Sequence, residues 1–179
     1  MNTETGYFQA FKGRYPRALF QLEISGGEGG PATLLKKALQ KKKEIARLAR
    51  KESFFANDKV WIVFDEDTHP YVQQTINEAR RQEVGVAYSN PCFELWIILH
   101  LQMYDRPESP VNMQRKCGEL IPGYDRHSSK VCDFDSLLEH LPQAEKNAAR
   151  LVESRAEQGS PFGVPVCTVH DLTQILRDS

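Results

Sequence analysis

An α/β fold built on a mainly parallel sheet is the class this sequence predicts, and three observations predict it. Helical periodicity alternates with short strand-like runs through about residue 104. The run VWIVF at 60–64 has no polar alternation, as a strand covered on both faces requires. Three carboxylates, Asp65, Glu66 and Asp67, follow at once, where the carboxyl ends of parallel strands form a ligand crevice.

The elements follow in order. Residues 3–14 carry Tyr7, Phe8, Ala10 and Phe11 as an apolar stripe and read as a helix. Residues 19–25, LFQLEIS, alternate as a half-buried strand does. GGEGG at 26–30 breaks the chain, and Pro31 opens a helix to about residue 51, with Leu35, Ala38, Leu39, Ile45, Ala46 and Ala49 mostly on one side. After the 60–64 strand, Pro70 opens a helix to about residue 82, and 84–88 is a short strand. Asn90 as cap and Pro91 at the first helical position start the next helix. That helix, CFELWIILHLQ, is apolar almost all round and therefore a central packing element.

From about residue 105 the pattern turns to loops, YDRPESP and IPGYDRHSSKVCD, with helices between and after them. The longest is 139–157, restarting at Pro142; GSPFGVPV is a linker and 168–176 a last short helix. The expected division is an α/β core over 1–104 and a helical extension over 105–179 packed on it.

A chain of 179 residues suits one domain of ordinary size, and 23 Lys and Arg against 24 Asp and Glu leave a net charge of −1. Composition alone therefore does not mark out a nucleic-acid binder. The longest apolar run, 95–101, is far too short for a bilayer, so no membrane association is expected. MNTETGYFQAF has neither the basic nor the apolar region of a secretory signal. Cys92, Cys117, Cys132 and Cys167 are widely spaced, with no C-x-x-C, and read as reduced thiols of a cytoplasmic protein. A zinc site from Cys117, His127 and Cys132 lacks close-pair spacing.

Asp65 and Asp67 form a D-x-D whose side chains can point the same way, and hard oxygens of this kind suit Mg²⁺ or Mn²⁺. The bland alternative is capping, by Asp67 or Thr68, of the helix near Pro70. Glu94 lies in the first turn of the apolar helix. The roughly 0.3–1 kcal/mol from the helix dipole is too little to offset its burial, so it is expected to be exposed or paired with a cation. His100, on another face of that helix, is either a remote partner of the site or a satisfied core histidine. His69, beside the acidic run, is favoured as an imidazolium. The segment 36–51, with Lys36, Lys37, Lys41, Lys43, Arg47 and Arg50, either tracks phosphates or is a solvated face. There is no G-x-x-x-x-G-K-[ST], no G-x-S-x-G and no G-x-G-x-x-G.

TETGYFQAF, VWIVFDEDTH and YSNPCFELWIILHL, with a weaker VPVCTVHDL, together resemble the RloB-like proteins, including the AbiLii type of bacterial abortive-infection component. The resemblance implies a Toprim-like three-layer domain, similar to those of topoisomerases, primases and OLD-family nucleases, encoded beside an AAA-type ATPase in phage-defence loci. It implies that Asp65 and Asp67 hold the metal, Mg²⁺ or Mn²⁺; Glu94 and His100 match the family string with no role carried over, and Glu94 is a candidate further site residue on its own position in the helix. The family's upstream glutamate has no counterpart, because Thr3 and Glu4 match only the end of its segment. A first strand is thus expected to be missing, exposing a sheet edge that residues 19–25 or a second copy would cover. The expected function is that of a Mg²⁺-dependent nuclease-type subunit cleaving phosphodiesters; the alternative is a non-catalytic partner of the ATPase.

Overall fold

The computed structural model describes residues 3–18, 20–23, 30–52, 58–66, 71–125 and 132–178. Among the described residues eleven elements follow in chain order: α1 (Thr3–Arg14), α2 (Pro31–Ala49), β1 (Trp61–Asp65), α3 (Val72–Arg81), β2 (Gly85–Asn90), α4 (Glu94–Leu101), α5 (Pro110–Leu120), α6 (Phe134–Leu138), α7 (Leu141–Glu157), β3 (Val166–Cys167) and α8 (Val169–Asp178). The chain is mixed α/β and mostly helical.

The sheet is small and mixed rather than mainly parallel. Its order is β1-β2-β3. β1 runs parallel to β2, in register from Trp61 beside Gly85 to Asp65 beside Ser89. β3 is antiparallel to β2, pairing Ser89 with Cys167 and Asn90 with Val166. β3 comes from the segment expected to be a linker. Two residues are too few to show a period, but Thr168 completes the ladder: its amide donates to Tyr88 O (2.8 Å) and its hydroxyl accepts from Tyr88 N (2.9 Å).

The strand expected at 19–25 does not form over its described part, residues 20–23. Phe20 instead stacks edge-on against Phe8 and Phe11 of α1, and its carbonyl accepts from Lys12 Nζ. Phe20 thus anchors a loop to α1 instead of pairing a ladder, while Leu22 is exposed. The remaining positions, 19, 24 and 25, lie outside the described residues.

β1 lacks polar alternation because both its faces are packed. Ile62 and Phe64 join Leu35 and Ala38 of α2 and Val72, Ile76 and Ala79 of α3. Trp61 and Val63 lie against the larger cluster formed by α1 and α4 to α8. The centre of that cluster is α4, whose residues 95–99 are fully buried. Asn90 is not its cap. It continues β2 against Val166, and its side chain donates to Phe162 O at 2.9 Å, while α4 begins after Phe93 with no side-chain cap. The strand ladder takes the residue that the local pattern assigns to the helix. Asn147 of α7 then donates to Leu99 O (2.8 Å), tying the longest late helix to α4.

Gly85 leaves room for the Trp61 ring across the β1–β2 pair: a Cβ there would lie 2.2 Å from the indole. Gly85→Ala should therefore cost about 1–3 kcal/mol in urea unfolding, and Trp61→Leu in the same chain should recover most of it. An unchanged midpoint for Gly85→Ala would contradict the close packing.

Candidate functional site

Asp65 is the last residue of β1 and lies level with Ser89 of β2. Side chains alternate along a strand, so Asp65 projects on the Val63 face, toward α4, and Glu66 on the opposite one. Ser89 Oγ lies 3.6 Å from Cys167 Sγ on β3, so the ends of all three strands meet here. Burial pushes the Cys167 thiol up to about 12, and the Asp65 carboxylate adds to the rise. Cys92, just past β2, is raised well above the thiol range by burial, then by Glu94, and also by Asp65. One buried thiol therefore feels two of the three carboxylates that the sequence singled out, Asp65 and Glu94.

Glu94 is buried, at 3 % exposure. The expectation that it is exposed or cation-paired fails among the described residues. Its Oε1 accepts from Thr3 Oγ1 (3.0 Å) on α1 and from Tyr124 Oη (2.7 Å) after α5. Two neutral hydroxyls replace the lost water, and bonds to a charged acceptor are the stronger kind. Burial, then the Glu94 contact, drives the Tyr124 hydroxyl far above its ordinary pKa and keeps it a donor. Neither Thr3 nor Tyr124 is legible as a partner in sequence, because they lie 91 and 30 positions from Glu94.

Glu66 receives a hydrogen bond from the Tyr88 hydroxyl, and burial raises its carboxyl pKa. Beside it a cavity of about 310 Å³ is lined by Glu66, Tyr71, Val72, Gln73 and Gln74. A larger cleft, about 700 Å³, lies at the other end of the strands, between Trp61, Gly85, Arg80 and the α8 residues Asp171 and Gln174. The larger cleft has its own carboxylates, Asp171 and Asp178, while Asp65 and Glu66 stand at the opposite end of the strands.

Asp67 and His69 lie outside the described residues, as does His127. Hard carboxylate oxygen at the end of β1 fits Mg²⁺ or Mn²⁺ in kind. Among the described residues no three His, Cys, Asp or Glu side chains form a metal-ligand group, and Asp67, the other member of the D-x-D, is not one of them.

His100 is a satisfied core histidine. Its Nδ1 donates to Trp96 O (2.9 Å), which leaves Nε2 to accept from the Tyr7 hydroxyl (3.1 Å). Lys36, Lys37, Lys43 and Arg47 of α2 and its C-cap residue Arg50 are exposed, whereas Lys41 pairs with Glu23 (2.8 Å) and Glu44 (3.5 Å). No helix among the described residues is long and apolar enough to cross a membrane.

These features define an α/β protein with carboxylates at the carboxyl end of a parallel strand pair. The family model of the RloB-like proteins matches residues 1–176, and the chain belongs to that family. No curated protein and no solved structure matches it.

Burial lowers the His100 pKa to about 4. Between about 6.5 and 4 the unfolded chain binds this proton and the folded chain does not, so stability is fully present above that window and is lost as pH falls through it, by an amount on the order of 3 kcal/mol. His100→Gln should flatten urea stability over the window. His170, also lowered by burial, remains in both proteins, so a slope identical to wild type would contradict the assignment to His100.

Proposed function

We propose that the chain is a Mg²⁺-dependent, nuclease-type subunit of an abortive-infection phage-defence system, built on a Toprim-like domain. The observation that carries this reading is the position of Asp65, at the carboxyl end of β1 and level with Ser89 of the parallel strand β2. Membership of the RloB-like family supports the same direction. Asp65 and Asp67 hold the cation through their carboxylates. Mg²⁺ or Mn²⁺ bound there polarises a phosphate oxygen and lowers the pKa of an attacking water.

Glu94 serves as a positioning residue, because its Oε1 already receives the Thr3 and Tyr124 hydroxyls. It holds the first turn of α1 and Tyr124 beside Cys92. The exposed cations of α2 guide the nucleic-acid backbone. An AAA-type ATPase is the partner, and a second copy of the chain covers any open sheet edge.

The second reading, a non-catalytic partner of the ATPase, is favoured by the same engagement of Glu94 with hydroxyls. Cleavage separates the two. Asp65→Asn and Asp67→Asn should each abolish Mg²⁺-dependent cleavage of DNA and RNA substrates, a loss above about a hundredfold, with far-UV spectra unchanged. Equal cleavage by wild type and variants would overturn the metal reading; no cleavage by any of them, with ATPase binding intact, would leave the partner role.

A further inference from the structure

Two sets of lysines and arginines along α2 and its C-cap residue Arg50 differ in what they touch. Lys41 is engaged by Glu23 and Glu44, and Lys42 reaches the carbonyl of Gln82 and the carboxylate of Glu83 (3.0 Å) at the end of α3. These contacts, with Leu35 and Ala38 buried behind them, lock the roll of the helix. The other set faces outward. At about 100° per residue, Lys43, Arg47 and Arg50 return to within about 40° of the line through Lys36. They form one ridge about 21 Å long, at 1.5 Å per residue.

No described acidic side chain forms an ion pair with any of these four residues, and Glu44, the single acid of α2, is turned to Lys41. A solvated helix face ordinarily intersperses both signs, and this ridge does not. Dipole compensation does not account for it either, because that effect is confined to the last turn while Lys36 and Lys43 lie earlier. In a chain of net charge −1, the ridge is a local concentration of charge.

The ridge also has a direction. The buried residues of α2, Pro31, Leu35 and Ala38, all precede Lys42, which sits at the amino end of β2 through Gln82 and Glu83. The first half of α2 therefore covers the sheet, and the second half projects past the amino ends of the strands. No aromatic residue occurs anywhere in α2, so the ridge offers no platform for stacking unpaired bases, which single-strand binding uses.

We infer that Lys36, Lys43, Arg47 and Arg50 form a sequence-independent docking ridge for the phosphate backbone of double-stranded nucleic acid. A straight, rigid row of cations matches the fixed row of phosphates along a duplex strand, whereas a flexible single strand must first be ordered. The inference deepens the proposed function and rests on it for the identity of the ligand as a phosphodiester.

The test is fluorescence anisotropy of the full chain with a labelled duplex of arbitrary sequence and with its single strand, in EDTA, over a range of KCl. With up to four phosphates engaged, the duplex should show a log–log salt slope of about −3 to −4 and bind more tightly than the single strand. The double variant Lys43→Glu/Arg47→Glu should lose at least about tenfold in affinity and reduce the slope by about 2. Lys41→Gln, which removes an internally paired charge, should bind as wild type does. Unchanged duplex binding by the double variant would overturn the ridge, as would equal or tighter binding of the single strand. Because binding is read without metal, failure of the ridge is distinct from failure of the metal reading, which Asp65→Asn cleavage decides.

Discussion

The structure depends on burying α4. Five consecutive residues of this helix, 95–99, are fully excluded from water, and a Leu, Ile or Trp side chain so placed contributes about 1.5–3 kcal/mol or more. The constraint lies at its two ends, where Glu94 and His100 are buried with it. A buried carboxylate without partners costs several kcal/mol, enough to cancel more than one of those apolar side chains. Burial of α4 is therefore possible only where hydroxyls meet both ends. Thr3 and Tyr124 meet Glu94, and Tyr7 meets His100. Two of the three lie on α1, so the same polar contacts that permit the buried helix also set where α1 lies.

This arrangement has chemical consequences at the strand ends. Cys92, Cys117 and Cys167 are all raised by burial, with Glu94 or Asp65 adding to each. Such thiols stay protonated at neutral pH and behave as small apolar groups, not as nucleophiles or metal ligands. The carboxylates are then the groups at the strand ends able to ligate a hard cation. The division of labour between the carboxylates follows from geometry: Asp65 closes a strand and is half-buried, whereas Glu94 is enclosed with hydroxyls on one oxygen.

Much of this was legible in the sequence where one element explains its own pattern. α1, α2 and α7 follow their apolar periods, and β1 with its unbroken apolar run ends at Asp65 as expected. What escaped is what depends on distant partners. β3 is two residues long, and its support comes from Thr168 reaching β2. Residues 20–23 alternate like a strand but serve α1 through Phe20. Asn90 carries a helix-cap signal yet remains in β2, because a ladder bond to β3 competes for it. The surroundings of Glu94 were the largest omission: the sequence shows that burial of this carboxylate needs compensation, and no local pattern names a threonine 91 positions away.

The central claim is that Asp65 is a metal-binding carboxylate and Glu94 a positioning one. A Mn²⁺ titration of the wild-type chain, Asp65→Asn and Glu94→Gln tests it most directly. The account predicts saturable binding by wild type, retention in Glu94→Gln and loss in Asp65→Asn. Equal binding by wild type and Asp65→Asn would contradict it and make the acidic run at the end of β1 a structural feature.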